Sequence, residues 1–182
     1  MLSISAAGSL FAALIFDDAF FQPGPRASFD KSGHIGGTKA NPTYKEVCTG
    51  ETGHAEAIRV EFDNDVISYG ELLDVFLATH DPTQLNRQGN DVGTQYRSAI
   101  FPHNAEQEAE AYAAIERARP DWPEPIVTAI EPLGDWWPAE DYHQEYWQGE
   151  GQRNPYCLAV IPPKLRKLRK SFANRVKEGA AA

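Results

Sequence analysis

Two polar, glycine-punctuated blocks hold the side chains best suited to chemistry, Asn41 to Glu56 (NPTYKEVCTGETGHAE) and His80 to Phe101 (HDPTQLNRQGNDVGTQYRSAIF). The first supplies Tyr44 and Glu56, the second Asp91 and Tyr96. Two phenols and an acid converging on one spot would form a donor cluster for a ligand oxygen that develops negative charge. A carboxyl group in an apolar pocket resists ionisation and can deliver a proton near neutrality, which suits Glu56. Taken singly, each residue has an ordinary use: tyrosine as an amphipathic core residue, loop aspartate as a turn former. The two cysteines, Cys48 and Cys157, do not stand where a reactive thiol is expected.

Elements must position these groups. Leu2 to Ala7 reads as a short strand, and Phe11 to Phe21 as a helix closed by Pro23, Gly24 and Pro25. A glycine-rich turn follows at Gly33, Gly36 and Gly37. Ala55 to Phe62 alternates as a half-buried strand does. Ser68 with Glu71 forms a capping-box pattern that opens a helix through Leu77. A long loop, Asp81 to Thr94, leads to a strand at Tyr96 to Phe101. Glu106 to Arg119 is rich in helix formers, Pro125 to Glu131 reads as a third strand, and an aromatic loop follows with a helical second half. The strands are too few and short for a doubly wound sheet, so an α+β layered fold is expected.

Composition sets the outer bounds. The chain has 182 residues, 42% hydrophobic, enough for one domain with a real core. Its net charge of −9 conceals a basic run beginning KLRKLRK at Lys164. An acidic body argues against nucleic acid as the main partner, and the basic run reads as the solvated face of a terminal helix. Two cysteines make no disulfide framework. Leu10 to Phe16 is too short to span a bilayer and lacks a basic flank, so a cytoplasmic protein with no membrane partner is expected.

Rival chemistries find little support. His54, His80, His103 and His143 are isolated in sequence, with no HExxH and no paired CxxC, so no metal is expected. There is no G-x-S-x-G elbow around Ser9, and no lysine-serine pair follows the glycines at Gly33 to Gly37. Trp136 and Trp137 read as packing under a loop, and the aromatic loop and basic tail remain open as interaction elements.

The segments GHIGGTKANPTYKEVCTGETGHAEAIRVEFD, ISYGELLDVFLATHDPTQLNRQGNDVGTQYRSAIF, PIVTAIEP and PAEDYHQEYW resemble the A-type peptide methionine sulfoxide reductases, in order and spacing, over roughly Gly33 to Val160. The resemblance implies a two-layer, ferredoxin-like α/β sandwich with long wrapping loops. It implies one reductase-like domain over residues 1–163, with a divergent segment 1–32, and a basic helical tail over 164–182. It implies reduction of methionine-S-sulfoxide, free or in proteins, by a monomer that needs no cofactor beyond an external thiol reductant such as thioredoxin. By the same resemblance Glu56 is the proton donor, Tyr44 and Tyr96 are the oxygen-binding phenols, and Asp91 is a supporting carboxylate. His143 lies near the substrate pocket, Cys157 falls near the recycling cysteine, and Cys48 matches a cysteine that is not the nucleophile.

The chain departs from the family at the nucleophile. The Gly-Cys-Phe-Trp signature corresponds to Gly8, Ser9, Leu10 and Phe11, which puts Ser9 at the thiol position and Phe11 at a substrate-binding aromatic. Counting back from Gly33 without gaps puts Ala13 there instead; on both alignments no thiol is present. The tyrosine of the family's Gly-Tyr-x-Gly-Gly turn is His34 here. A serine hydroxyl stays protonated at neutral pH and cannot climb the cysteine oxidation ladder. Three readings follow: a frame change in the N-terminal stretch hiding an authentic Gly-Cys-Phe-Trp, a homologue that binds oxidised methionine without reducing it, or Cys157 serving as a displaced nucleophile.

Overall fold

A computed structural model describes residues 1–5, 29–144 and 150–172. The helix expected at Phe11 to Phe21 lies outside them, as do Ser9 and Phe11. The central sheet is built from β1 (Leu2–Ser5), β2 (Phe29–Ile35), β3 (Ala55–Val60) and β6 (Ala99–Phe101). They lie side by side in the order β6-β1-β3-β2, every neighbour antiparallel, which is the ferredoxin-like arrangement. Two-residue strands extend both edges: β7 (Ala129–Ile130) runs parallel to β6, and β8 (Trp137–Pro138) antiparallel to β2. Arg87–Gln88 (β4) and Asp91–Val92 (β5) make a separate small hairpin.

The period of two decides which side chains meet. One face carries Leu2, Ile4, Ile58, Val60 and Ile100 against the helices α2 (Tyr69–Thr79), α3 (Ala105–Ala118) and α4 (Pro155–Ser171). The other carries Ile35, Ala55, Ala57, Ala99 and Phe101, with Trp136 packed over them. Both faces are covered, so β3 is buried at every position except the half-buried Arg59, whose guanidinium lies 5.0 Å from the Trp136 ring centroid.

The capping box at Ser68 forms as expected: the hydroxyl accepts from Glu71 N at 3.2 Å, and the Glu71 carboxylate accepts from Ser68 N at 3.0 Å. Ser68→Ala should cost about 1 kcal/mol in urea unfolding, and a loss below about 0.3 kcal/mol would mean the cap is idle. Asn104 caps α3 by accepting from Gln107 N, and Arg117 ties α3 to Asp74 of α2.

Several elements differ from the sequence reading. Gly33 is not a turn residue but lies inside β2, a strand hidden by its polar sequence FDKSGHI. Its glycine is needed for close approach: a Cβ there would sit 2.4 Å from the Trp136 ring and 2.6 Å from Trp137 O. The strand expected to begin at Tyr96 starts only at Ala99, because Thr94–Tyr96 forms a 3-10 turn. The loop over Asp81 to Thr94 contains the β4–β5 hairpin, and the third strand shrinks to Ala129–Ile130. In the aromatic loop the helical part is a single 3-10 turn, Asp141–His143. Helix α4 runs unbroken across the expected boundary between residues 163 and 164, with Pro162 and Pro163 inside it. No helix among the described residues is long and apolar enough to cross a membrane.

Three of the histidines isolated in sequence are structural fasteners. His54 Nδ1 accepts from Gly37 N at 3.1 Å, which leaves Nε2–H to donate to Lys39 O at 2.8 Å. His80 donates from Nδ1 to Phe76 O at 2.6 Å and accepts at Nε2 from Ser98 Oγ, which is linked in turn to Thr128. His103 meets Ser3 Oγ at 3.1 Å.

Candidate active site

Glu56, second residue of β3, is 5% exposed. Alternation puts its side chain on the face of Ile58 and Val60, and the register pairs it with His34 of β2. Strand β1 ends beside it, where the Ser5 hydroxyl is within hydrogen-bond reach of both Glu56 O (2.6 Å) and Arg97 O (3.0 Å). The Ser5 end of β1 therefore lies between the strand that carries Glu56 and the turn that carries Tyr96.

Tyr44 opens the one-turn helix α1 (Tyr44–Val47), capped by a reciprocal Thr43–Glu46 box and the Lys39–Glu46 ion pair. Its backbone N–H is one of the free donors of a helix start and finds Glu140 Oε1 at 2.9 Å. Its ring lies 4.2 Å from that of His143, tilted by 48°, and Tyr142 packs on His143 at the same 4.2 Å. Cys48, four residues on at the end of α1, is exposed and close enough to add to the upward push on the Tyr44 phenol, so it borders the cluster.

Tyr96 ends the 3-10 turn, its N–H donating to Gly93 O. Behind it Arg97 makes a two-pronged, half-buried ion pair with Glu131 at 2.7 and 2.9 Å. Burial and the nearby Glu56 charge push the Tyr96 phenol up to about 12, and the same two causes raise Tyr44 further. Both phenols therefore remain protonated donors at physiological pH, facing one shared acid.

Asp91 in β5 acts on Tyr96 by its charge and accepts from the Tyr156 hydroxyl at 2.9 Å. Next along α4 is Cys157, 2% exposed and packed into the helix-side core. Burial pushes its thiol up and the Asp91 charge adds to this, the opposite of what an attacking thiolate needs.

The structure thus brings Glu56, Tyr44, Tyr96 and Asp91 together, packs His143 at a tilt against Tyr44, and sets Cys157 behind Asp91. Sequence reasoning missed Glu140, and also Gln95, whose Nε2 donates to Cys48 O at 3.2 Å and ties the turn bearing Tyr96 to the end of α1. Glu140 stands in the PAEDYHQ word and Gln95 in GTQYRS, so both words held the signal. Residues 137–144 are fastened along β2 by Ala139 N to Ser32 O and by the Gln144 amide, which bonds both Ser32 N and Ser32 O. That strap delivers Glu140 and His143 to Tyr44. Its carboxylate also lies close to His34, which burial drives down to about 4 against the pull of Glu140, with His54 and His143 adding to the fall. Among the described residues no group of three His, Cys, Asp or Glu side chains is arranged to hold a metal ion.

Fold and site together define an α+β protein that can hold a ligand oxygen between two phenols and an acid. The sequence profile of the family described as Peptide methionine sulfoxide reductase matches residues 19–176. A Peptide methionine sulfoxide reductase MsrA from Erwinia tasmaniensis is 66% identical over 143 residues, covering 79% of this chain and 80% of the relative. One from Deinococcus radiodurans is 54% identical, covering 81% and 72%. Among solved structures, methionine sulfoxide reductase A of Corynebacterium diphtheriae superposes with a TM-score of 0.74 at 35% identity, covering 85% of this chain and 74% of that one. Mxr1 from Saccharomyces cerevisiae in its reduced form gives 0.74 at 33% identity, covering 83% and 85%. The chain belongs to the peptide methionine sulfoxide reductase family.

Proposed function

We propose that this chain binds methionine-S-sulfoxide with the sulfoxide oxygen between Tyr44 and Tyr96, and that Glu56 gives that oxygen its proton. The carrying observation is the buried Glu56 acting on both phenols at once. Asp91 supports Tyr96, and His143 braces Tyr44.

Reduction needs two electrons from sulfur. A thiolate attacks the sulfoxide sulfur, the protonated oxygen moves to the attacking sulfur, and methionine leaves. The resulting sulfenic acid condenses with a second thiol, releasing water and forming a disulfide, which a dithiol reductant then opens. Thioredoxin fits as that reductant by its chemistry, and the yeast relative Mxr1 has also been captured in complex with Trx2. On either alignment, with Ser9 or with Ala13 at the nucleophile position, the attacking thiol is missing from this frame.

A second reading, binding of oxidised methionine without turnover, draws on Cys157. Its buried, raised thiol behind Asp91 is poorly placed to substitute for the missing nucleophile. Thioredoxin- or dithiothreitol-dependent reduction of a methionine-S-sulfoxide peptide by the parent chain, beside Ser9→Cys, separates the two. Turnover confined to Ser9→Cys supports an intact frame lacking its thiol. Parent turnover that disappears in Cys157→Ala or Cys48→Ser would assign a relocated nucleophile. Silence in both chains, with the peptide still bound, supports the binder; silence without binding overturns both readings.

A further inference from the structure

Cys157 sits in the first turn of α4, its side chain in the core shared by the sheet and α2. Little else seats this end of the helix. Pro155, Tyr156, Leu158 and Ala159 are all exposed, so Cys157 is the one buried residue over 155–159. By contrast α2 buries Leu72, Leu73, Phe76 and Leu77. Asn154 caps the turn locally: its side-chain oxygen accepts from Tyr156 N at 2.9 Å and its carbonyl from Leu158 N at 3.0 Å. Tyr156 adds a tie to a distant part of the chain, its hydroxyl donating to Asp91 Oδ2 of β5 at 2.9 Å. Partial burial first and Asp91 second push this phenol up to about 12, so it stays a donor at physiological pH.

The rest of α4 is loosely joined to this stretch. Pro162 and Pro163 lie inside the helix, and neither has an N–H to donate to the carbonyls of Leu158 and Ala159. Two successive rungs of the helical ladder are therefore missing. Residues 155–161 lie between the Asn154 cap on one side and a weakened joint on the other. Recycling requires the Cys157 sulfur to come within about 2 Å of another sulfur, which it cannot do from inside the core.

We propose that residues 155–161 form a hinged flap: Pro162 and Pro163 are its joint, the Tyr156–Asp91 hydrogen bond is its latch, and opening carries Cys157 from the core into solvent. Tyr156 is thus a positioning residue for the recycling thiol. The latch and joint rest on the contacts above, and their use in recycling rests on the function proposed above. Asp91 stands five residues before Tyr96, so the latch also ties the shelter of the thiol to the oxygen site.

The test labels Cys157 with iodoacetamide in the full chain carrying Cys48→Ser, where it is the only thiol. Tyr156→Phe removes one exposed oxygen and should speed labelling about fivefold with the melting temperature little changed. Asp91→Ala should speed it similarly, and the double variant no further, since both changes break one bond. Pro162→Ala with Pro163→Ala restores two N–H donors and should slow labelling several-fold. Rates should stay nearly flat up to about 1 M urea, because a local opening exposes little surface. An unchanged rate in Tyr156→Phe, or effects that add in the double variant, would overturn the latch. An unchanged rate in the alanine pair would overturn the joint. Labelling that climbs with urea as steeply as global unfolding would mean that Cys157 emerges only when the whole domain unfolds, and the flap would be overturned. None of these readouts uses a sulfoxide, so the flap and the proposed function stand or fail separately.

Discussion

Glu56→Gln, made in the Ser9→Cys chain, is expected to lower turnover of a methionine-S-sulfoxide peptide by about 10²–10⁴-fold while leaving KM within a few-fold. Glu56 is 5% exposed and lies close enough to act electrostatically on both phenols, so it is the acid placed to protonate an oxygen held between them. Glutamine has the same shape and can still donate a hydrogen bond, but it cannot release a proton. The loss therefore falls on kcat, because sulfur–oxygen cleavage leaves an oxygen that must be protonated as it departs. A Glu56→Gln chain with undiminished kcat would remove Glu56 from the proton path. Tyr44→Phe and Tyr96→Phe should each show a smaller fall, since the other phenol and the acid remain.

Acid should weaken the fold through His34. Burial holds this imidazole at about 4, below its ordinary 6.5. Between those values the unfolded chain takes up a proton that the folded chain refuses. The contribution is full above pH 6.5 and is lost as pH falls toward 4. The difference corresponds to about 3 kcal/mol if fully expressed, and partial access of solvent brings the expectation to about 2 kcal/mol. The groups facing His34 are Glu140, whose charge opposes the fall, and His54 and His143, which deepen it. His143 is itself lowered by burial, so it pulls in the same direction. Glu140 is held below the usual range because the hydrogen bond from Tyr44 N and its neighbours outweigh its burial, and it loses its contribution in more acidic solution. Urea unfolding at pH 7 and pH 4.5 should thus show a steep loss in the parent and a flatter one in His34→Gln. Equal slopes in the two chains would mean that His34 protonates without cost.

Much of the site was legible because its residues fall in compact words. Tyr44 with Cys48, and Asp91 with Gln95 and Tyr96, are separated by at most five positions, so local sequence carries them to the same spot as units. The capping boxes at Ser68 and Thr43 are equally local, each a matter of two side chains reaching one turn of backbone. Strand β2 was not legible. FDKSGHI lacks an apolar alternation because its partners, β3 on one side and β8 on the other, satisfy its backbone while Trp136 fills the space a side chain at Gly33 would take. The fate of Cys157 was hidden for a similar reason: a cysteine in NPYC is compatible with a mobile tail or a packed helix, and only contact with the core of α2 and β3 makes it buried.

Periodicity, capping and words of a few residues carry the α+β class, the two main helices, the family and the candidacy of Glu56, Tyr44, Asp91 and Tyr96. Tertiary structure alone decided that one acid faces both phenols, that Glu140 and His143 are strapped along β2 to brace Tyr44, and that Gln95 bridges the segments bearing the phenols. Those contacts join residues tens of positions apart, and their energies depend on register, burial and the direction of single hydrogen bonds, quantities that exist only once the sheet has closed.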